Sequence, residues 1–329
     1  MEVSGKGKKS GYCAIVGRPN VGKSTLMNHL IGQKIAITSG KPQTTRTRIR
    51  TVYTDERGQI VFLDTPGIHK AKNRLGEYMD ELALETLPDS DVILWILDAG
   101  QLSREEDGSI RRQLKLVKKP VILVLNKVDQ LKKEDLPEIL KKAESLFPAV
   151  DIIPVSALRS VNMDSVLEAV YSCLPEGPYF YDEEEVTDAT MREIAGEIIR
   201  EKALRSLQDE VPHGIAVQIQ SMKERQRKKK RGNKAEDGPV LVLDPDSDSE
   251  QNGMIWDIEA DLITEKESHK GIIIGKGGSM LKKIGMEARA GIEEMTGSQV
   301  NLKLYVKVRK DWRDNPAYLR SLGYSRKKI

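Results

Sequence analysis

The stretch Gly17-Arg18-Pro19-Asn20-Val21-Gly22-Lys23-Ser24, with Thr25 after it, has the spacing G-x-x-x-x-G-K-S. Its glycines let successive backbone N–H groups turn inward on an anion, Lys23 adds a point charge, and Ser24 can offer a hydroxyl to magnesium. An apolar run, Tyr12 to Val16, leads in, and a helical pattern from Thr25 to Ile31 leads out. The unpaired N–H groups of that helix start face the same anion, so the stretch is a cradle for nucleotide phosphates. Three more polar strings follow apolar runs: Asp64-Thr65-Pro66-Gly67, Asn126-Lys127-Val128-Asp129 and Ser156-Ala157-Leu158. A carboxylate at the end of a buried strand, beside a flexible turn, suits a magnesium ligand acting through water, and the Gly67 N–H can meet a terminal phosphate. Far along the chain, Gly275-Lys276-Gly277-Gly278 is a G-x-x-G turn of the kind a nucleic-acid backbone approaches closely.

The elements that must position these groups alternate between strand and helix. Strands are expected at Tyr12–Val16, Gln59–Leu63, Val92–Leu97, Val121–Leu125 and Ile152–Val155, with Arg50–Tyr53 forming a hairpin around Asp55-Glu56-Arg57-Gly58. Helical patterns lie at Leu75–Leu87, Arg104–Val117, Leu136–Phe147 and Met163–Leu174. That order predicts a mainly parallel, doubly wound α/β sheet with one antiparallel edge strand, whose ligands sit outside the carboxyl ends of the strands. Every polar string of the first half falls at such an end. Between Gly32 and Arg48 the pattern loses periodicity and fills with Thr38, Lys41, Gln43, Thr44, Thr45 and Arg46, a long polar loop that a compact domain seldom keeps without a use.

The chain of 329 residues is long enough for two domains, and 39% hydrophobic with 31% charged residues fits a globular protein with no apolar run able to span a bilayer. A net charge of +3 is too small to announce a nucleic-acid partner, so any basic surface is local. Cys13 and Cys173 both lie in apolar patterns and are expected as buried, reduced thiols. The expected organisation is a flexible N-terminus (1–10) without the marks of secretion or organelle import, an α/β domain (11–175), a linker (176–188) and a second domain (189–329).

In the second half a helix is expected from Ala189 to Leu207, its charges (Arg192, Glu193, Glu197, Arg200, Glu201, Lys202, Arg205) forming a solvated face. Strands follow at Ile215–Met222 and Ile255–Ile263, separated by a charged insert at about 223–253 that is expected as a mobile hairpin extension. Gly271-Ile272-Ile273-Ile274 precedes the G-x-x-G turn, and an amphipathic helix (Leu281, Ile284, Ala288, Ile292) and a strand, Val300–Val308, come after it. The basic residues Lys282, Lys283 and Arg289 stand beyond the turn. The candidate nucleic-acid surface is therefore Gly271, Ile274, Gly275, Lys276, Gly277, Gly278, Lys282, Lys283 and Arg289.

In order and approximate spacing the four strings of the first half resemble the motifs of translation-factor-like P-loop GTPases. Thr44-Thr45-Arg46 resembles the T-T-R of the subgroup that includes Era, MnmE and Der. Asp129 discriminates the base: its carboxylate can accept both N–H donors on the Watson–Crick edge of guanine, a pair that adenine lacks, and a site built on such donors rejects the analogue by on the order of 10⁴. The resemblance implies that Asn126 contacts guanine and props the phosphate loop, that Lys127 covers the base, and that the Ala157 N–H meets the guanine oxygen. It also implies that a switch threonine reaches magnesium and the γ-phosphate, Thr45 being favoured and Thr44 the alternative. Ras-like relatives place a water-orienting glutamine where this chain has Ile68, so unaided hydrolysis is expected to be slow. Asn20 matches the asparagine that holds potassium in cation-dependent relatives, which makes potassium a candidate cofactor beside magnesium.

The helix–strand–strand–helix–helix–strand order around G-I-I-I-G-K-G-G resembles an α+β type II KH domain. With Asp311-Trp312-Arg313 and Leu322-Gly323-Tyr324 near the end, nearly the whole chain resembles the Era family. That resemblance implies a GTP-hydrolysing switch that binds the 3′ end of small-subunit ribosomal RNA and assists small-subunit assembly. It further implies a cytoplasmic monomer with a fraction held peripherally at the inner membrane. The alternative is an RNA-binding assembly factor in which nucleotide is a conformational ligand with negligible turnover.

Overall fold

The computed structural model describes residues 7–33, 35–39, 41, 44–68, 71–102, 105, 107–226 and 254–324. They form two compact units that divide between Ala189 and Thr190. The first contains strands β1 (Lys9–Val16), β2 (Ile49–Asp55), β3 (Gly58–Asp64), β4 (Val92–Asp98), β5 (Val121–Asn126) and β6 (Asp151–Pro154). Its helices are α1 (Lys23–Ile31), α2 (Arg74–Glu85), α3 (Gly108–Val117), α4 (Leu136–Leu146) and α5 (Met163–Cys173). The sheet order is β2-β3-β1-β4-β5-β6, all parallel except the edge strand β2.

Strands β4 and β5 are buried along their whole length, which is why they read as continuous apolar runs instead of alternating ones. One face of the sheet packs Leu26, Met27 and Leu30 of α1 and Val166, Leu167 and Val170 of α5. The other packs Ala83 of α2, Ile110 and Leu114 of α3, and Ala143 and Leu146 of α4. Parallel pairing brings the carboxyl ends of β1, β3, β5 and β6 to one edge, so strings far apart in the chain meet there.

The second unit comprises α6 (Met191–Ser206), β7 (Ala216–Gln226), β8 (Met254–Thr264), α7 (Glu267–Ile274), α8 (Ser279–Thr296), β9 (Gln299–Val308) and a short α9 (Pro316–Ser321). Its sheet runs β7-β8-β9, with β7 antiparallel and β9 parallel to β8. Ile198 and Ile199 of α6, Ile284, Ala288 and Ile292 of α8, and Ile258, Ala260 and Leu262 of β8 share one core. Helix α6 begins at a capping box, in which Glu193 N donates to Thr190 Oγ1 and Thr190 N donates to Glu193 Oε2.

Several expectations are corrected. Strand β1 begins at Lys9, inside the stretch expected as a flexible N-terminus, because Lys9 already registers with Gly58. The 176–188 linker is fastened to the first unit: Val52 N donates to Val186 O at 2.8 Å, and Gln59 binds the backbone of both Phe180 and Tyr181. It therefore covers the outer edge of β2, satisfying backbone groups that an edge strand leaves unpaired. Arg200 and Glu201 are fully buried instead of solvated, Arg200 Nε donating to Glu197 at 2.9 Å and Glu201 accepting from Arg205 at 2.9 Å. The Arg200 guanidinium also interacts electrostatically with Tyr324, a partner that helical periodicity could not announce. Cys13 is buried, but Cys173, the last residue of α5, is partly exposed. Strand β7 runs on to Gln226, and residues 227–253 of the expected insert lie outside the described residues.

Candidate functional site

The phosphate loop joins the carboxyl end of β1 to the N-terminus of α1. Gly22 adopts φ +99°, and a Cβ there would fall 2.2 Å from Asn126 Nδ2, so only glycine fits. At Gly17 a Cβ would meet Ile96 O at 2.4 Å. Asn20 is exposed with φ +63°, a conformation asparagine tolerates better than most residues. Lys23 is buried, and its Nζ donates to Gly17 O at 3.2 Å and Arg18 O at 3.0 Å. The ammonium thus spans the loop that its own backbone encloses. Burial lowers its pKa to about 8, with Asp64 opposing that shift.

Three oxygens converge beside Lys23. Ser24 Oγ lies 2.9 Å from Thr45 Oγ1 and donates to Asp64 Oδ2 at 3.0 Å, while Thr45 Oγ1 donates to the same carboxylate oxygen at 3.4 Å. Burial raises the Asp64 carboxyl to about 6, opposed by Lys23 and the two hydroxyls. Two hydroxyls and a carboxylate are hard oxygen donors, a set that fits magnesium. Thr44 faces elsewhere: its hydroxyl donates to Lys41 O at 2.6 Å and lies 2.8 Å from Ser39 Oγ. Thr65 Oγ1 donates to Ile15 O at 2.7 Å, which ties the turn after β3 to β1. A Cβ on Gly67 would come within 2.8 Å of Pro19 N, so this turn sits directly against the phosphate loop.

The Asn126–Asp129 and Ser156–Leu158 strings close the other side. Asn126 Nδ2 donates to Val21 O at 2.7 Å, and its Oδ1 accepts from Ala157 N at 2.9 Å. One amide therefore fastens the phosphate loop to the turn after β6. Ser156 Oγ donates to Asp129 Oδ1 at 2.6 Å, which orients an otherwise exposed carboxylate and leaves it further acceptor capacity. Lys127 takes φ +69° and pairs with Asp98 at 2.7 Å.

Not every expected residue turns into the site. The Arg18 guanidinium points to Gln101 O at 2.6 Å and Asp107 at 3.0 Å, tethering the loop to the start of α3. Leu158 is 67% exposed, and the Ala157 N–H is engaged by Asn126. Ile68 is buried in an apolar cluster with Trp95 and Leu97. Asp98, Arg18's partner Asp107 and the helix residue Asn28 were not singled out from the sequence. Their types are common on helices and loops, and only their partners mark them.

In the second unit Gly275, Gly277 and Gly278 all have positive φ, and a Cβ at either Gly277 or Gly278 would meet nothing within 4 Å. The turn is thus open to an approaching chain. Gly271, Lys276 and Lys282 stand at or beside it, Ile274 is half-buried and Ile273 belongs to the core. Lys283 stands 4.0 Å from Glu287 and Arg289 donates to Glu293 at 3.0 Å, so both share their charge with neighbours on α8.

Proteins of known family share both units. The family described as 50S ribosome-binding GTPase matches residues 12–127, and the KH domain family matches residues 251–313. The chain is 47% identical over 320 residues to GTPase Era of Lacticaseibacillus paracasei, covering 97% of this chain and 98% of that protein. It is 48% identical over 316 residues to GTPase Era of Alkaliphilus metalliredigens, covering 96% and 99%. Its fold is similar, with TM-score 0.86 and 38% identity over 97% of this chain and 100% of the other, to a crystal structure of Era in complex with MgGDPNP and nucleotides 1506–1542 of 16S ribosomal RNA. A point variant of Aquifex aeolicus Era bound to GDP.AlF4- gives TM-score 0.85 at 38% identity, over 97% and 100%.

Proposed function

The chain belongs to the Era family of GTPases, and from that premise we propose that it is a GTP-hydrolysing switch whose KH domain binds the 3′ end of small-subunit ribosomal RNA and which assists small-subunit assembly. The observation that carries this reading is the Asn126 amide, which joins the phosphate loop at Val21 to the Ser156-Ala157 turn and so makes the phosphate-binding and base-reading strings one site. Lys23 would meet the terminal phosphates, Asp129 would accept the guanine N–H pair, and the loop glycines would turn their N–H groups on the phosphate oxygens. Ser24 and Thr45 would hold magnesium directly and Asp64 through water; the ion, when bound, offsets negative charge on the phosphates. Thr45 and Gly67 belong to loops that a γ-phosphate can order, which makes the nucleotide state a conformational signal.

The open turn at Gly275–Gly278, with Lys276 and Lys282 beside it, is the surface offered to RNA. A solved relative bound to a 16S ribosomal RNA fragment supports that assignment. Turnover of GTP against ATP, with and without an RNA of that 3′ sequence, tests the reading. GTP-selective turnover and an RNA affinity that differs between GTP and GDP states are expected; ATP turnover at a similar rate, or no RNA binding, refutes it.

Ile68 favours a second reading. With an apolar side chain after the D-x-x-G turn, no group at that position can polarise water, so nucleotide could act as a ligand with negligible turnover. On the switch reading, the missing charge is supplied by potassium held at Asn20. Equal turnover in potassium and sodium buffers, or an unchanged rate for Asn20→Ala, counts against that. A cytoplasmic monomer with a fraction held peripherally at the inner membrane rests on family resemblance alone. Among the described residues no helix is long and apolar enough to cross a membrane.

A further inference from the structure

Helix α1 fastens the polar loop that follows it at two places, and the two fastening side chains share one face of the helix. Ser24 meets Thr45 at the far arm of the loop. Asn28, one turn further along the helix, meets the near arm: its Nδ2 donates to Ala36 O at 2.7 Å, and its Oδ1 accepts from Ile35 N at 3.1 Å and Ala36 N at 2.9 Å. Asparagine is a poor residue inside a helix, because its amide competes for backbone groups. Here that amide satisfies three backbone groups of another segment, which a residue of higher helix propensity such as leucine or alanine could not do. Ala36 and Ile37 beside it are 1% and 3% exposed, so the fastened arm is packed as well as hydrogen-bonded.

We propose that Asn28 is a positioning residue for GTP hydrolysis, holding residues 35–36 against α1 so that Thr45 is delivered to Ser24 and Asp64. The assignment rests on the GTP-switch reading above. Loop closure costs entropy that grows with the free length of chain. Fixing the near arm shortens the chain that must be ordered when Thr45 engages. The Asn28 amide spends its hydrogen bonds on residues 35 and 36 and not on the phosphate loop, so its effect should fall on the GTP-specific step and spare the grip on diphosphate.

The full-length protein with Asn28→Ala tests this by amide hydrogen exchange at Ile35 and Ala36, steady-state GTP turnover and GDP affinity. Exchange at both amides is expected to accelerate at least about tenfold and kcat to fall about tenfold, with GDP affinity within about twofold of the parent. Unchanged exchange overturns the proposal, as does an equal loss of kcat and GDP affinity, which would mark a purely structural residue. Asn28→Asp keeps the acceptor for both N–H groups but sets a charged oxygen against Ala36 O where the donor stood, so exchange at Ile35 and Ala36 should also accelerate, and exchange as slow as the parent's overturns the proposal. A parent protein that turns over no GTP refutes the switch reading itself, an outcome visible without either variant.

Discussion

Ser24 Oγ and Thr45 Oγ1 lie 2.9 Å apart and both reach Asp64 Oδ2, so a helix N-terminus, a polar loop and a strand end share one oxygen cluster. Thr44, its neighbour in sequence, is turned to Lys41 and Ser39. Thr45→Ala should lower kcat/KM for GTP by about 10² or more while GDP affinity changes little, since on the proposed reading Thr45 meets magnesium and the γ-phosphate only when triphosphate is bound. Thr44→Ala should cost less than about fivefold. Steady-state kinetics over a magnesium titration separates the two, and equal losses would contradict the assignment.

Ser156 holds one oxygen of Asp129, and on the proposed reading the remaining acceptor capacity selects the base. Asp129→Asn puts an amide donor where guanine needs an acceptor. GTP affinity should fall by on the order of 10³, while xanthosine triphosphate, whose ring carries a carbonyl in place of the amine, should gain. Competition with a fluorescent nucleotide reads both changes.

Gly22→Ala should abolish nucleotide binding, because its Cβ would fall 2.2 Å from Asn126 Nδ2 on a backbone of φ +99°. Gly177→Ala, where a Cβ meets nothing within 4 Å, is the control and should bind as the parent does. Isothermal titration with GDP distinguishes them.

Burial depresses the Lys23 pKa from 10.5 to about 8, so between those values the folded, nucleotide-free protein binds fewer protons than the unfolded chain. Stability is therefore lost through this group as pH falls from 10.5 toward 8, and recovered as pH rises back over the same window. The stability of the parent relative to Lys23→Met, measured by urea unfolding in chelator, should rise by on the order of 3 kcal/mol from pH 8 to pH 10.5. A flat difference would show that the ammonium is solvated in the free protein.

Cys13 is buried and its thiol is pushed well above the usual range, chiefly by desolvation, whereas Cys173 is partly exposed. A thiol reagent at neutral pH should modify one cysteine rapidly in the native protein and two after unfolding. Mass mapping should place the fast site at Cys173.

Much of the site was legible because its chemistry is local. A loop that wraps phosphate must have glycines at fixed offsets and a lysine and serine at the helix start, so Gly17 to Ser24 announces itself in a single string. The sheet was legible for a related reason: strands buried on both faces must be apolar throughout, as Val92 to Leu97 and Val121 to Leu125 are, and the polar ends of such strands mark the binding edge.

What sequence left open concerned groups whose partners are distant. Thr44 and Thr45 are chemically identical and adjacent on a loop without period, so only the folded positions of Ser24 and Asp64 choose between them. The direction of the Arg18 guanidinium, toward Gln101 and Asp107, had no mark in the phosphate-loop string. Arg200 and Glu201 read as solvated, yet folding buries both, with Glu197 and Arg205 as their partners. The 176–188 segment lies along β2 through bonds in which one partner is always backbone, from Val52 N to Val186 O and from Thr187 Oγ1 to Arg50 O, which leave no paired side-chain pattern to read.

By itself the sequence determined the α/β fold of the first domain and the residues whose chemistry is written in short strings, since these follow from local geometry and hydrophobic period; the KH fold and the class of ligand at each domain came from the resemblance those strings carry. The tertiary structure alone decided which of several like side chains face inward, that the Asn126 amide also takes the Ala157 N–H, and that Asn28 fastens the loop carrying Thr45. The physical reason is that a hydrogen bond depends on positions to within a few tenths of an ångström, and those positions are set by packing across the whole domain, which no stretch of sequence contains.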